Sequence, residues 1–153
     1  MYKSQEFAQR SFEDFDQPLG LTMNPNNRWI KKAEVIPWLG LEKDYAKLFK
    51  NKKGDVAKPF RMAFGALLIQ TEYQWSDEET VAQFQENPYL QFFIGLPGYQ
   101  QEKPFDASTM VYFRKRLPVE KLVEINEQIL VYNQKKQDKD SDDDHDNHSD
   151  PLI

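Results

Sequence analysis

The residues best suited to chemistry lie together past the middle of the chain: Ser108, Thr109, Tyr112, Arg114, Lys115 and Arg116, inside the run FDASTMVYFRKRL. Hydroxyls in a first helical turn, followed by cations one and two turns later, are the groups that meet base edges and phosphate oxygens when a helix lies in a groove of duplex DNA. The same spacing also fits an amphipathic surface helix with a solvated basic end. A second group, Lys52, Lys53, Lys58 and Arg61, belongs to the segment from Lys43 to Arg61, which holds seven Lys or Arg against Asp44 and Asp55. Such a cluster extends a phosphate-binding surface or simply keeps a domain soluble.

Other chemistry has little to work with. The chain has no cysteine, so disulfides, thiolate nucleophiles and cysteine ligands are excluded. Its two histidines, His145 and His148, lie among the acids Asp142, Asp143, Asp144 and Asp146, a list that resembles a metal-ligand set but offers no rigid element to hold one. There is no glycine-rich phosphate loop, no HExxH and no Gly-x-Ser-x-Gly. The neighbouring acids Asp77, Glu78 and Glu79 are explained by a helix start. The chain is therefore expected to be non-catalytic, with no cofactor and no metal site.

Charge is segregated along the chain. The formal net charge is −5, yet residues 137–153 carry seven Asp against Lys139 alone, a balance of −6 that leaves the rest at +1. A near-neutral body that can carry a basic face and an acidic tail is the result; their opposite charges permit self-masking without requiring it. The amino terminus lacks the apolar stretch of a signal peptide and no run approaches a membrane span, so a cytoplasmic location without membrane contact is expected.

The elements that must position these residues are helical. Residues 1–24 alternate Phe7, Phe12 and Phe15 with acids and then meet Pro18, Gly20 and Pro25, which reads as an extended arm whose aromatics dock on the body. Trp29, Ala33 and Ile36 share a helical face that Pro37 ends, and Leu41, Tyr45 and Leu48 share another. Pro59 is placed to be the first residue of a helix to about Tyr73, apolar almost all round and so central and buried. Gly65 costs that helix about 1 kcal/mol relative to Ala, which a neighbour packed close on its backbone would explain.

Ser76 through Glu79 spells a capping box for a helix to about Glu86 that buries Val81 and Phe84. Asn87-Pro88 breaks it before a short aromatic helix ending at Gly95. Asp106 is the expected N-cap of the chemistry-bearing helix, whose buried stripe is Met110, Phe113 and Leu117. Pro118 opens the last helix, with Leu122, Ile125, Ile129 and Tyr132 in a narrow stripe that packs on the body or on a second copy. Residues 137–153 are too polar to offset their ordering entropy and read as disordered. The fold class is all-α: an arm at 1–24, a helical domain at 25–136 with a helix-turn-helix-like unit, and a disordered acidic tail.

The segments PFRMAFGALLIQ, SDEETVAQFQENPYLQFFIGLPGYQ and PFDASTMVYFRKRL, with the arm SFEDFDQPLGLTMNPNNRWIKKAEVIPW, resemble the N-terminal domain of bacterial insertion-sequence transposases of the InsH type. The likeness covers roughly residues 1–135. It implies a helical domain that binds the element's terminal inverted repeats in double-stranded DNA and precedes an RNase H-like nuclease domain with three metal-binding acids. This chain has no strand to carry those acids, so the resemblance implies a transposase truncated before its catalytic part. Where that family often has Pro then Ser-Leu after the capping Asp, this chain has Ala107, Ser108 and Thr109. Two other readings stand beside this one: a module that pairs with intact transposase or itself through Leu122, Ile125, Ile129 and Tyr132, and an inert relic.

Overall fold

A computed structural model describes residues 11–16, 22–49 and 57–140. Seven α-helices follow in order: α1 Arg28–Glu34, α2 Trp38–Ala46, α3 Phe60–Tyr73, α4 Asp77–Glu86, α5 Pro88–Phe93, α6 Thr109–Arg116 and α7 Val119–Lys139. Among the described residues there is no strand, only an isolated parallel bridge between Asp16 and Gly98. The all-α class is what the helical periodicities require.

α3 is the axis of the fold. Every residue from Phe60 to Ile69 is buried, and α2, α4, α5 and α6 all pack on it. Pro59 stands one place earlier than expected, as the N-cap in extended backbone, and Phe60 is the first helical residue. A Cβ added to Gly65 would meet Ile94 Cγ2 at 3.2 Å, Phe93 Cδ1 at 3.3 Å and Ile94 Cα at 3.4 Å. The missing side chain therefore lets the end of α5 sit against the α3 backbone, the close neighbour that this glycine calls for.

The aromatic knot forms around that contact. Phe93 has Trp29 at 4.8 Å and Trp38 at 5.6 Å between ring centroids, both edge-on. Phe60 and Phe64 stack at 5.1 Å, and Trp38 meets both edge-on. Full burial of each such ring contributes about 1.5–3 kcal/mol, which makes this cluster the main source of stability.

The polar side chain of Gln91 inside the core is satisfied by backbone. The buried Gln91 side chain donates to the Phe84 carbonyl at 2.6 Å and the Gln100 carbonyl at 2.8 Å, and accepts from the Gln100 N–H at 3.0 Å. It ties the end of α4 to the loop before α6. Asn87 caps α5 by accepting from the N–H groups of Tyr89 and Leu90, with Pro88 as first residue.

Several boundaries differ from expectation. α2 starts at Trp38 rather than Leu41, because burying Trp38 outweighs the propensity lost at Gly40 in the first turn. Ser76 Oγ accepts from the Glu79 N–H at 3.1 Å, as a capping box requires, but the Glu79 carboxylate accepts from Gln83 at 2.8 Å. α7 runs on to Lys139, so residues 137–139 are helical rather than tail. Lysines at 135, 136 and 139 suit the negative end of its dipole. The acidic metal-ligand list at 142–148 lies outside the described residues.

The stripe on α7 faces inward. Ile125 and Ile129 are buried in the common core, Leu122 packs against it, and the Asn133 amide donates to the Val35 carbonyl at 2.9 Å. Ile125 shares a small crevice with Leu41, Tyr45, Phe60 and Leu117. Of the two places considered for this stripe, the body takes Leu122, Ile125 and Ile129, while Tyr132 stays half-buried at its end. Of the arm, residues 11–16 and 22–24 are described: a 3-10 turn, Phe12–Asp14, is followed by Phe15, which is buried edge-on against Phe92 at 6.2 Å, and Met23 is buried as well.

Candidate nucleic-acid interface

α6 is an eight-residue helix whose inner side is Met110 and Phe113, with Leu117 buried just past its end. Phe113 packs edge-on to Phe105 at 5.1 Å, and Phe105 to Phe84 at 5.8 Å, so α6 is seated on α4 through a relay of rings. Its start lies three residues beyond the expected Asp106. The Asp106 carbonyl accepts from the Thr109 N–H at 2.8 Å, Ala107 and Ser108 form a turn, and Ser108 is the N-cap position with helical backbone and no side-chain cap bond.

The connection into α6 covers residues 94–108, so α6 is not the second helix of a tight helix-turn-helix, whose turn is about 3–4 residues. Gln74, Trp75 and Ser76 make a turn of that length between α3 and α4, with Gln74 left-handed at φ 56°. α4 opens on Asp77, Glu78 and Glu79, however, and phosphate repels such a helix end. The helix-turn-helix-like unit expected around α6 is not confirmed: α6 is a single short helix laid on a helical body.

The outer side of α6 carries Ser108, Val111, Tyr112, Lys115 and Arg116, all exposed, with Thr109 half-buried. Tyr112 is 64% exposed, and Lys115 Nζ lies 5.6 Å from its ring centre. The Arg116 guanidinium sits 4.7 Å over the ring of Phe49, the last described residue before Lys50, Lys52 and Lys53 in the chain. Burial pushes the Tyr45 phenol, beside Phe49, up to about 12, against the pull of the nearby Arg116 charge. The described end of residues 43–49 thus meets the end of α6 at the Arg116–Phe49 contact. Lys52 and Lys53 themselves lie outside the described residues, and Lys58 is exposed just before α3.

Two arginines have other employment. Arg61 is 2% exposed; its Nε donates to the Phe93 carbonyl and its Nη2 to the Phe92 carbonyl, each at 3.0 Å. Its guanidinium lies 4.8 Å over the Trp38 ring and 5.0 Å over that of Phe92. It caps the C-terminal carbonyls of α5, where a cation is favoured, and is removed from the list of phosphate contacts because it is buried. Arg114 grips Asp77 with both nitrogens, Nη1 to Oδ1 at 2.7 Å and Nη2 to Oδ2 at 2.9 Å, and Nη1 also donates to Gln70 Oε1 at 3.1 Å. The guanidinium holds the Asp77 carboxyl below its ordinary range, and Asp77 in turn raises Arg114. Lys32 is also occupied, over the Trp29 ring and 3.6 Å from Glu72.

Among the described residues, no group of three or more His, Cys, Asp or Glu is arranged to hold a metal ion, and no helix is long and apolar enough to cross a membrane. A groove of about 810 Å³ lies away from α6, between Phe12, Ile36, Leu39, Phe92 and Tyr132.

A stretch of the chain, residues 20–116, matches the family model described as a transposase domain (DUF772). It starts before α1 and ends with the last residue of α6, so the match takes in α1 to α6 and stops short of α7. The chain is also similar to an uncharacterized protein, ORF8 of the nfe locus of Rhizobium meliloti, with 35% identity over 111 residues, 72% of this chain and 53% of that protein. The aligned stretch thus spans about half the length of that curated relative. No solved structure matches the chain. With its family match ending on the basic turn of α6, the chain belongs to the transposase domain (DUF772) family.

Proposed function

We propose that this domain is the DNA-binding part of an insertion-sequence transposase and that it reads the element's terminal inverted repeats in double-stranded DNA, in the cytoplasm. The observation that carries this reading is the outer side of α6, with Tyr112, Lys115 and Arg116 exposed on a helix that contains no acid. Cations on such a helix neutralise phosphates, and Ser108, Thr109 and Tyr112 supply the hydroxyls that discriminate among base edges. Lys58, Lys52 and Lys53 extend the phosphate contacts, since the Arg116–Phe49 stack brings the start of their segment to the end of α6.

Cutting and joining of DNA are assigned to residues outside this helical domain. An electrophoretic shift assay at physiological salt tests the reading: the chain should bind a terminal-repeat duplex at least tenfold more tightly than a scrambled one, since specific sites exceed non-specific ones by about 10³ or more in complete DNA-binding proteins. Equal affinity for both duplexes would sink it.

A further inference from the structure

The three-residue cluster of Gln70, Asp77 and Arg114 joins three helices at one point. Gln70 is in the last turn of α3, Asp77 is the first residue of α4, and Arg114 is in the second half of α6. The cluster is closed: Arg114 bonds both carboxylate oxygens of Asp77 and the Gln70 carbonyl oxygen, and the Gln70 amide donates to Asp77 Oδ1 at 2.7 Å. α6 otherwise rests on Met110, Phe113 and Leu117, and apolar burial is non-directional. A planar fork on a carboxylate fixes an angle as well as a distance. Asp77 stands at the N-terminus of α4, where its charge is favoured even without Arg114.

We infer that Arg114, with Asp77 and Gln70, is a positioning group that sets the angle of α6 on α3 and α4 and thereby the register in which Tyr112, Lys115 and Arg116 meet DNA. This rests on the DNA-binding reading above. It assigns Arg114 a different task from its neighbours Lys115 and Arg116, although all three are basic and consecutive. Arg114 sharpens discrimination between sequences; Lys115 and Arg116 supply affinity.

The test uses the full chain and the variants Arg114→Lys, Arg114→Gln and Asp77→Asn, with binding to terminal-repeat and scrambled duplexes measured across a salt series. Arg114→Lys keeps the charge but cannot form the fork, so a phosphate contact would survive it and an angular anchor would not. The expected result is that all three variants lower the preference for the repeat by about fivefold, the factor that corresponds to ~1 kcal/mol. The salt slope should stay unchanged. The Arg114→Lys, Asp77→Asn double variant should lose no more than either single one, because both changes break one interaction.

An Arg114→Lys protein with wild-type preference would overturn the inference. So would a salt slope lowered by about one unit in Arg114→Gln while Asp77→Asn discriminates normally, since that pattern marks a direct phosphate contact. Should the unaltered chain show no preference for the repeat, the DNA reading fails, and amide hydrogen exchange judges the cluster separately. Faster exchange across α6 in Arg114→Lys and Asp77→Asn supports an anchor for that helix, and exchange equal to wild type removes it.

Discussion

Arg61 and Arg114 show how two regions of one small domain use the same side chain in opposite ways. Around Arg61, at the α3–α5 contact, the guanidinium is sealed under Trp38 and Phe92 and its partners are backbone carbonyls. At the α6 edge, Arg114 is 45% exposed and its partner is a carboxylate on another helix. The first arrangement cannot be exchanged for water without opening the core. The second is in continuous competition with water and salt, so it contributes little to stability while still fixing orientation. The lesson is that burial, more than charge, decides whether an arginine holds the fold together or trims a surface.

The largest effect is expected from breaking the buried side of the comparison. Arg61→Met keeps much of the volume but leaves the Phe92 and Phe93 carbonyls without their donor, and should cost about 3 kcal/mol or more, read from the urea midpoint. A variant with wild-type stability would show that the α5 end needs no cation. Next comes the backbone contact beside it. Gly65→Val forces atoms into the space taken by Ile94 and Phe93 and should lower stability by about 2 kcal/mol in the same measurement.

The exposed side should respond to pH. Because Asp77 has a depressed carboxyl pKa when folded, its contribution is fully present above the ordinary value of 3.8 and fades as pH falls through the lower folded value. The pair is partly exposed, so about 1 kcal/mol is the most it can supply. The melting temperature of the wild type should exceed that of Arg114→Gln at pH 5, and the gap should narrow as pH falls below 3.8 and through the lowered folded value; a gap that does not change with pH would mean the loss comes from packing.

Smallest in stability is Lys115→Gln. Lys115 contacts only the exposed Tyr112 ring, so thermal unfolding should shift by no more than the equivalent of ~0.5 kcal/mol. Its DNA-binding salt slope should nevertheless fall by about one unit. A slope equal to wild type would take Lys115 off the interface.

Much of this arrangement was legible in the residues. The spans of α3, α4 and α5, the Gly65 contact and the inner stripe Met110, Phe113 and Leu117 followed from periodicity, caps and breakers, which act within a few residues. The tasks of Arg61 and Arg114 did not follow, since each depends on hydrogen-bond partners 31 or more positions away. Read locally, both are basic residues beside other basic residues. Gln91 was missed for the same reason: nothing in FFIGLPGYQ signals that its amide will answer the Gln100 backbone.

The sequence by itself determined that this protein is a helical domain with a buried aromatic α3 and a basic, acid-free α6, because helix periodicity and side-chain polarity are local properties of the chain. Only the tertiary structure decided which charges are spent inside the molecule and which remain outside it. Packing took Arg61, Arg114 and the α7 stripe for the fold and left Tyr112, Lys115 and Arg116 on its surface, and that division depends on distances across the fold that no local pattern encodes.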